Sequence, residues 1–534
     1  MRIKFDENTV WKFVNNDKAK LYLAGVVFFK DEKLNIKKLL HLLIGLKNLQ
    51  ELCDLTTDFK GQFSFIFENS YFKVAYTDKI RSFPISKYKS NNLINVSNST
   101  RHFDTIKHSF SLNKEAIEVF SSSGYTIGNE TFYKGFEILE AGSFIFFNKA
   151  SNEIVQKKYA SFFNDKSLKF KEEDLFEKID NVITTSIKKL IKIADGKQIV
   201  IPLSAGLDSR LILGKLVELG YQNILTFTYG PKNIWERKIA EKCAKHLNVP
   251  WYFVELNRKV KKRYYTKDRI DYYKFSSNNN SVPHIADYYA LNILKENGVL
   301  NFKKSIIVNG QTGDFITGGH IPVNINEISL EDIYDVIINK HFALWFNKFN
   351  PKFNSFIKQV LKSNYKLEPY FSNKDILFKE YEKFECDERQ IKYVINGQRI
   401  YDWLGIDWYL PLWSDEMFDL WSSLDIKHKI NQNAYNKYCE TYNPGNAFDV
   451  KLDGNTLSLP LYFYPILALL KFTSKLNKKK KYSRLKKTYL SFYEKYYPFY
   501  PQKTYLEYLK DAKHHRSPVS YWVNSYIFEN KLKK

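Results

Sequence analysis

Two aspartates stand in short polar loops, each following an apolar run. The first loop reads Ser204-Ala205-Gly206-Leu207-Asp208-Ser209, after Ile199-Val200-Ile201-Pro202-Leu203. The second reads Asn309-Gly310-Gln311-Thr312-Gly313-Asp314, after Ser305-Ile306-Ile307-Val308, and runs on to Gly318-Gly319-His320. Serine hydroxyls and backbone amides where a strand gives way to a helix suit phosphate. Gly206 lets the chain approach an anion with no Cβ in the way. A carboxylate repels phosphate, so Asp208 fits such a cradle when Mg2+ lies between carboxylate and phosphate oxygens. The second loop, with Gly310, Gly313 and Asp314, fits the same purpose. Together the two aspartates suit a site for a magnesium-bound nucleotide.

That chemistry needs both loops at one edge of a sheet. Ile199 to Leu203 has the make-up of a buried strand. From Leu211 the apolar residues recur at helical spacing (Leu211, Leu213, Leu216, Val217, Leu219), Gly220 ends the helix, and Ile224 to Thr228 begins a second strand. This strand-loop-helix-strand order is the pattern of a parallel sheet, whose ligands bind outside the carboxyl ends of its strands. "DLFEKIDNVITTSIKKLIKI" and "ERKIAEKCAKHLN" read as helices, and "WYFVEL" and "SIIVNGQTGD" as strands, the last ending in a glycine turn. Residues 1–160 alternate short apolar runs with turns, the period of a mostly β region with some helix. The stretch from Lys149 into the 170s has the polarity of a connector. The expected organisation is α+β over 1–160, then α/β over 170–445, then a basic, aromatic-rich helical tail over 446–534. Beyond about residue 330 the long aromatic segments read as helical.

The chain has 534 residues, enough for several cores, and a formal charge of +24. That charge is a weak argument for nucleic acid, because lysine far outnumbers arginine, the better fork for phosphate and base edges. It is also uneven: from Lys471 onward there are 17 basic and 4 acidic residues. The run "KLNKKKKYSRLKK" suits either a solvated helix face or contact with an anionic membrane surface. Cys53, Cys243, Cys386 and Cys439 lie far apart with no CxxC pair, as expected of reduced thiols in a cytoplasmic protein without a metal–thiolate site. No signal peptide is read at the start, and the longest apolar stretch, Leu457 to Phe472, carries two prolines and is too short to span a bilayer.

"PLSAGLDSR" resembles the S-G-G-x-D-S pyrophosphate motif of the ATP pyrophosphatase group, in its asparagine synthetase branch, with Ala205 in place of one glycine. The Walker loop is absent. Other segments follow in the family's order. Phe59 to Tyr88 is similar to the amidotransferase stretch G-x-F-(apolar run)-R-D-x-x-G-x-x-P. "FYKGFEILEAGSFIFFNK" resembles the closing strand pair of that domain. "NGQTGDFITGGH" resembles the loop S-G-E-G-x-D-E-x-x-G-G, and Ile395 to Asn431 is similar to the segment containing R-x-P-F-x-D. The resemblance implies an Ntn-hydrolase-like sandwich followed by a parallel-sheet ATP pyrophosphatase domain with a helical extension. It implies an ATP-dependent ligase that activates a small-molecule carboxylate as an acyl-adenylate, releases pyrophosphate, and transfers ammonia or an amine. Ser204, Gly206, Asp208 and Ser209 would hold the β- and γ-phosphates, and Asp208 and Asp314 the Mg2+. Thr226 to Gly230, including Thr228, would border adenine and ribose, with Glu236 either a polar contact there or an ordinary first-turn helix acid. Lys437, with Lys429 as the alternative, would neutralise the adenylate.

Three departures qualify this expectation. The family's glutaminase uses an N-terminal cysteine; Arg2 follows Met1 here and the nearest cysteine is Cys53, so the N-terminal region is expected to be structural or regulatory. The acidic residue of the second loop is Gln311, and an amide takes no proton from an amine. Asp415 in "PLWSD" is displaced by one from the family's spacing. Free aspartate, a sugar acid of a surface polysaccharide, and a molecule closing an amide ring on itself are all open as acceptors, and a homodimer is open as an assembly. The alternative is a catalytically silent nucleotide-binding scaffold. His284 and His320 read as structural, with the loop position favouring His320, and Trp403, Trp408, Trp413 and Trp421 read as core.

Overall fold

The computed structural model describes residues 1–451, except 8–9, 91–92, 105, 165–166, 233, 265, 330, 347–349 and 366–373, together with 465, 468 and 504–532 apart from 512–513, 515 and 517. Among the described residues eleven strands precede residue 160: β1 (Arg2–Lys4), β2 (Lys12–Asn15), β3 (Ala19–Phe29), β4 (Glu32–Leu34), β5 (Phe59–Asn69), β6 (Phe72–Thr77), β7 (Ser86–Ser90), β8 (Leu93–Ser97), β9 (Phe136–Ile138), β10 (Ser143–Asn148) and β11 (Ile154–Lys158). They form two sheets, ordered β11-β10-β6-β5-β3-β2, with β4 paired to β3, and β1-β8-β7-β9. Period two divides the faces of β5. Phe63, Phe65 and Phe67 join one apolar cluster with Leu39, Leu40, Leu43 and Leu52 of the helices Ile36–Ile44 and Leu49–Thr56. Ile66, on the opposite face, belongs to the main core with Ala75, Ile85 and Val96. The stretch expected as a connector contains β11, whose exposed, lysine-rich sequence marks an edge strand.

Among the described residues the second part is built on five parallel strands: β12 (Gln198–Pro202), β13 (Ile224–Gly230), β14 (Trp251–Glu255), β15 (Ser305–Val308) and β16 (Asp407–Tyr409). Their order is β14-β13-β12-β15-β16. The chain moves outward one way from β12 through β13 to β14, then returns to the other side of β12 with β15. The order therefore reverses between β12 and β15, and the carboxyl ends at such a switch point are where open α/β sheets bind ligands. Both aspartate loops leave the sheet there. The helical reading beyond residue 330 needs one correction: β16 lies within that stretch. It is three residues long, too short for its own periodicity, and is recruited by pairing with β15.

The two parts share buried polar contacts. Gln62 exchanges two hydrogen bonds with the Leu410 backbone, at 2.7 and 2.9 Å, and the Gly61 amide donates to Asp415 Oδ2 at 2.7 Å. The Arg399 guanidinium donates to Ser82 O and lies over the rings of Phe83 and Trp408. The C-terminal helix Pro518–Glu529 packs back on the body: Tyr526 lies beside Phe120 and Phe132, and its hydroxyl donates to Ser277 Oγ at 2.8 Å. The lysine run 478–481 lies outside the described residues. Among the described residues no helix is long and apolar enough to cross a membrane. All four cysteines are unpaired.

Candidate functional site

The helix after β12 starts at Leu207, one turn earlier than the apolar spacing suggested, because Gly206 serves as its N-cap with extended dihedrals. Asp208 and Ser209 therefore occupy the first helical turn. Gly206 offers no side-chain cap, so first-turn amides stay unfilled by side chains. Two hydroxyls order the turn before them. The Ser204 amide donates to Ser209 Oγ at 3.1 Å, the two hydroxyl oxygens lie 3.1 Å apart, and the Gly206 amide donates to Ser204 Oγ at 3.1 Å. Ser204 and Gly206 are exposed and Ser209 is buried. A helix start with no side-chain cap and the exposed Ser204 hydroxyl beside it favours an anion.

The second loop lies directly on the first. A Cβ on Gly310 would fall 2.7 Å from Asp208 Cβ and 2.8 Å from the Ser209 amide nitrogen. On Gly313 it would fall 2.5 Å from Asp208 Cγ. Only glycine permits that approach. Thr312, between them, adopts a left-handed φ of 67° and receives a hydrogen bond from the Trp413 indole. Such a conformation in a threonine is held by its surroundings. Asp314 then opens the short helix Gly313–Ile316, with the Phe315 amide donating to its Oδ1 at 2.9 Å. Gly318, at φ 96°, closes the loop against Lys429: a Cβ there would lie 2.7 Å from the Lys429 carbonyl carbon.

The loops thus bring Asp208 and Asp314 together. Burial pushes the Asp208 carboxyl up to about 7, and the Asp314 charge adds to this against the hydrogen bond from Tyr435. The Tyr435 hydroxyl donates to Asp208 Oδ1 at 2.8 Å. Partial burial pulls the Asp314 carboxyl up too, but the hydrogen bond and charge of His320, with the Phe315 amide and the charge of Arg389, together outweigh it and hold the group below its ordinary value. His320 Nε2 lies 3.0 Å from Asp314 Oδ2. Tyr435 carried no signal in sequence, since nothing local distinguishes it from the chain's 38 tyrosines. His320 could be singled out only by following the paired glycines.

Other candidates are placed differently. The Thr228 hydroxyl donates to Leu203 O at 2.7 Å and accepts from the Trp251 indole at 3.0 Å, which commits it to bracing the ends of β12 and β13. Lys437 pairs with Glu172 at 2.6 Å on the surface, where its side chain is 46 % exposed. It lies two residues beyond Tyr435 on the helix Asn433–Tyr442, so it points away from the side that reaches Asp208. Lys429 is fully enclosed, paired with Glu382 at 2.7 Å and donating to Trp421 O at 2.9 Å. Asp415 serves the contact with Gly61 described above. Glu236 is half-buried in the first turn of the helix Trp235–His246, and burial raises its carboxyl. Gln311 Oε1 accepts from Gln398 Nε2 at 2.6 Å. Across Gly397, whose Cβ would fall 3.5 Å from His284 Cγ and 3.7 Å from Gln311 Oε1, stands the His284 ring. Burial lowers its pKa, so it is neutral near pH 7.

The donor set matches the needs of Mg2+ carried by a nucleotide. Mg2+ takes oxygen ligands and is commonly held by one or two carboxylates plus substrate phosphates, not by an all-protein cage. Asp208 and Asp314 supply two carboxylates beside an anion cradle. No cluster of three or more metal-ligating side chains occurs among the described residues.

No protein-family model matches the chain, and no curated protein matches it. Among solved structures, an NH3-dependent NAD synthetase from Campylobacter jejuni is 14% identical, over 36% of this chain and 95% of its own, with a TM-score of 0.21. A glutamine phosphoribosylpyrophosphate amidotransferase from B. subtilis is 10% identical, over 58% of this chain and 59% of its own, at 0.18. A glutamine-dependent NAD+ synthetase from Acinetobacter baumannii is 8% identical, over 53% and 70%, at 0.19. Overlaps this slight transfer neither fold nor function to this chain.

Proposed function

We propose that the chain is an ATP-dependent, AMP-forming carbon–nitrogen ligase of the asparagine synthetase type. One observation carries the reading: Asp208 and Asp314 converge at the switch point of a parallel sheet, beside an uncapped helix N-terminus. Ser204, Ser209 and the first-turn amides would bind the β- and γ-phosphates, with Gly206 allowing close approach. Gly310 and Gly313 let the second loop close on Asp208. Asp208 and Asp314 would hold Mg2+, which when bound neutralises charge on the leaving pyrophosphate. The backbone of β13 near Thr228 would border the adenosine.

In the first step a carboxylate oxygen of the substrate attacks the α-phosphorus of ATP; the bond to the β-phosphate oxygen breaks and pyrophosphate leaves. In the second, the nitrogen of ammonia or an amine attacks the acyl carbon of the adenylate, an amide forms and AMP leaves. The nitrogen's surplus proton needs an acceptor, which Gln311 cannot be. We assign it to His284, the neutral ring that, with Gln311, flanks Gly397. No step is assigned to Lys437.

The test is a panel of carboxylates, including aspartate and sugar acids, incubated with MgATP and ammonium, with pyrophosphate and AMP measured and Asp208→Asn as the blank. Carboxylate-dependent pyrophosphate release that vanishes in the blank is the expected result. A chain that binds MgATP yet releases no pyrophosphate with any carboxylate is instead a nucleotide-binding scaffold, the reading that Gln311 favours.

A further inference from the structure

His320 is held on both sides. Its Nε2 faces Asp314 Oδ2 at 3.0 Å, and its Nδ1 is hydrogen-bonded to Glu385 Oε1. Glu385 begins a π-helical run, Glu385–Val394, and its side chain is 0% exposed. Wide helical turns of this kind are rare and gather at functional sites. The Glu385 carboxylate also collects the Tyr381 hydroxyl at 2.9 Å, Lys340 Nζ at 3.0 Å and Gln390 Nε2 at 3.2 Å. Burial alone would raise it; the bonds from His320 and His341 hold it well below its usual range, hence ionised. An ionised carboxylate only accepts, so His320 donates to it through Nδ1, which fixes the plane of the ring. Lys340 Nζ also donates to His320 O at 2.7 Å, fixing the backbone beneath. Asp314, by contrast, sits in a four-residue helix with its side chain 54% exposed, and besides His320 on Oδ2 its carboxylate takes a hydrogen bond from the Phe315 amide on Oδ1.

We propose that His320, anchored by Glu385, is a positioning residue that holds the Asp314 carboxylate in place beside Asp208, so that the pair can bind the divalent cation of a nucleotide. This rests on the ligase reading above. Groups that hydrogen-bond a metal-ligating side chain orient it, and losing one costs about 10- to 100-fold in metal affinity.

The experiment titrates the full chain with Mn2+ in the presence of ATP and follows the spectrum of free Mn2+ by electron paramagnetic resonance. ATP affinity without metal and thermal melting are measured beside it. His320→Phe keeps the ring packed edge-on to Phe315 and removes both ring N–H groups. Glu385→Gln keeps the shape and removes the anchor charge. Both variants are expected to weaken Mn2+ binding about 10- to 100-fold, with metal-free ATP affinity unchanged and Lys437→Ala like wild type. In an Asp314→Asn background, His320→Phe should cost nothing more, because the two act through one carboxylate. Wild-type Mn2+ affinity in both variants overturns the proposal. So does an equal loss with and without Asp314, or a His320→Phe chain that does not fold, since either makes the side chain merely structural. If Asp208→Asn and Asp314→Asn themselves bind Mn2+ like wild type, the ligase reading falls first.

Discussion

Replacing Gly313 by alanine tests the convergence of the two loops most directly. The added Cβ would lie 2.5 Å from Asp208 Cγ and 2.7 Å from Leu412 Cδ1, where ordinary contacts begin at 3.4 Å. Asp208 cannot simply swing aside, because the Tyr435 hydroxyl is bonded to its Oδ1 at 2.8 Å. The loop or the carboxylate must therefore retreat by about 1 Å, the order of displacement that costs a reacting constellation about 100-fold in rate. Inserting a methyl into a close-packed region costs about 1–3 kcal/mol. Gly45→Ala supplies the reference: φ is −79° and nothing lies within 4 Å of the new Cβ, so it should stay within about 0.5 kcal/mol of wild type. Urea melts of both variants measure the difference, and calorimetric titration with MgATP should show at least about tenfold weaker binding for Gly313→Ala. If Gly313→Ala matches Gly45→Ala in both measurements, the loops do not meet as described and the shared site is refuted.

Four further outcomes are expected. In metal-free protein, Asp208→Asn should gain stability over wild type as pH rises from about 4 to about 7 and level off above. The unfolded carboxyl ionises near 3.8 while the folded one keeps its proton up to about 7, so wild type loses stability across that window; parallel urea titrations at several pH values check it. Lys437→Ala should change stability by under about 1 kcal/mol, as exposed ion pairs do, whereas Lys429→Met should cost about 3–5 kcal/mol by leaving Glu382 buried and unpaired, both read by thermal melting. His284→Gln should slow amide formation at least about 100-fold while sparing pyrophosphate release, seen by following the two products separately. The chain should release no ammonia from glutamine in a coupled assay, because the Cys53 thiol is partly buried and its pKa raised by that burial, leaving it a poor nucleophile.

The region before residue 160 bears on function through its contacts. Asp415, the aspartate of "PLWSD" displaced by one from the family's spacing, accepts from the Gly61 amide, and Lys79 lies 3.4 Å from it. With Gln62 on the Leu410 backbone, these contacts tie β5 to the turn after β16. The turn also carries Trp413, whose indole holds Thr312 in its left-handed conformation. The first part of the chain is thereby linked, through one turn, to the loop that presents Asp314.

What the sequence determined by itself is what local spacing can encode. Alternation along β5, the strand-loop-helix at Ile199 and the glycines flanking Asp208 and Asp314 each act over a few residues, where dihedral preference and side-chain period decide the outcome. The parallel sheet and the loops that carry both aspartates were legible for that reason. Tertiary structure alone decided which side chains meet them. Tyr435 reaches Asp208 across 227 positions, and Glu385 reaches His320 across 65. Residues 407–409 became a strand only by pairing with β15. Lys437 was turned from Asp208 by its angular offset from Tyr435 on one helix. Such contacts depend on how whole elements pack, and packing depends on the summed shape and burial of distant segments, which no short window of sequence contains.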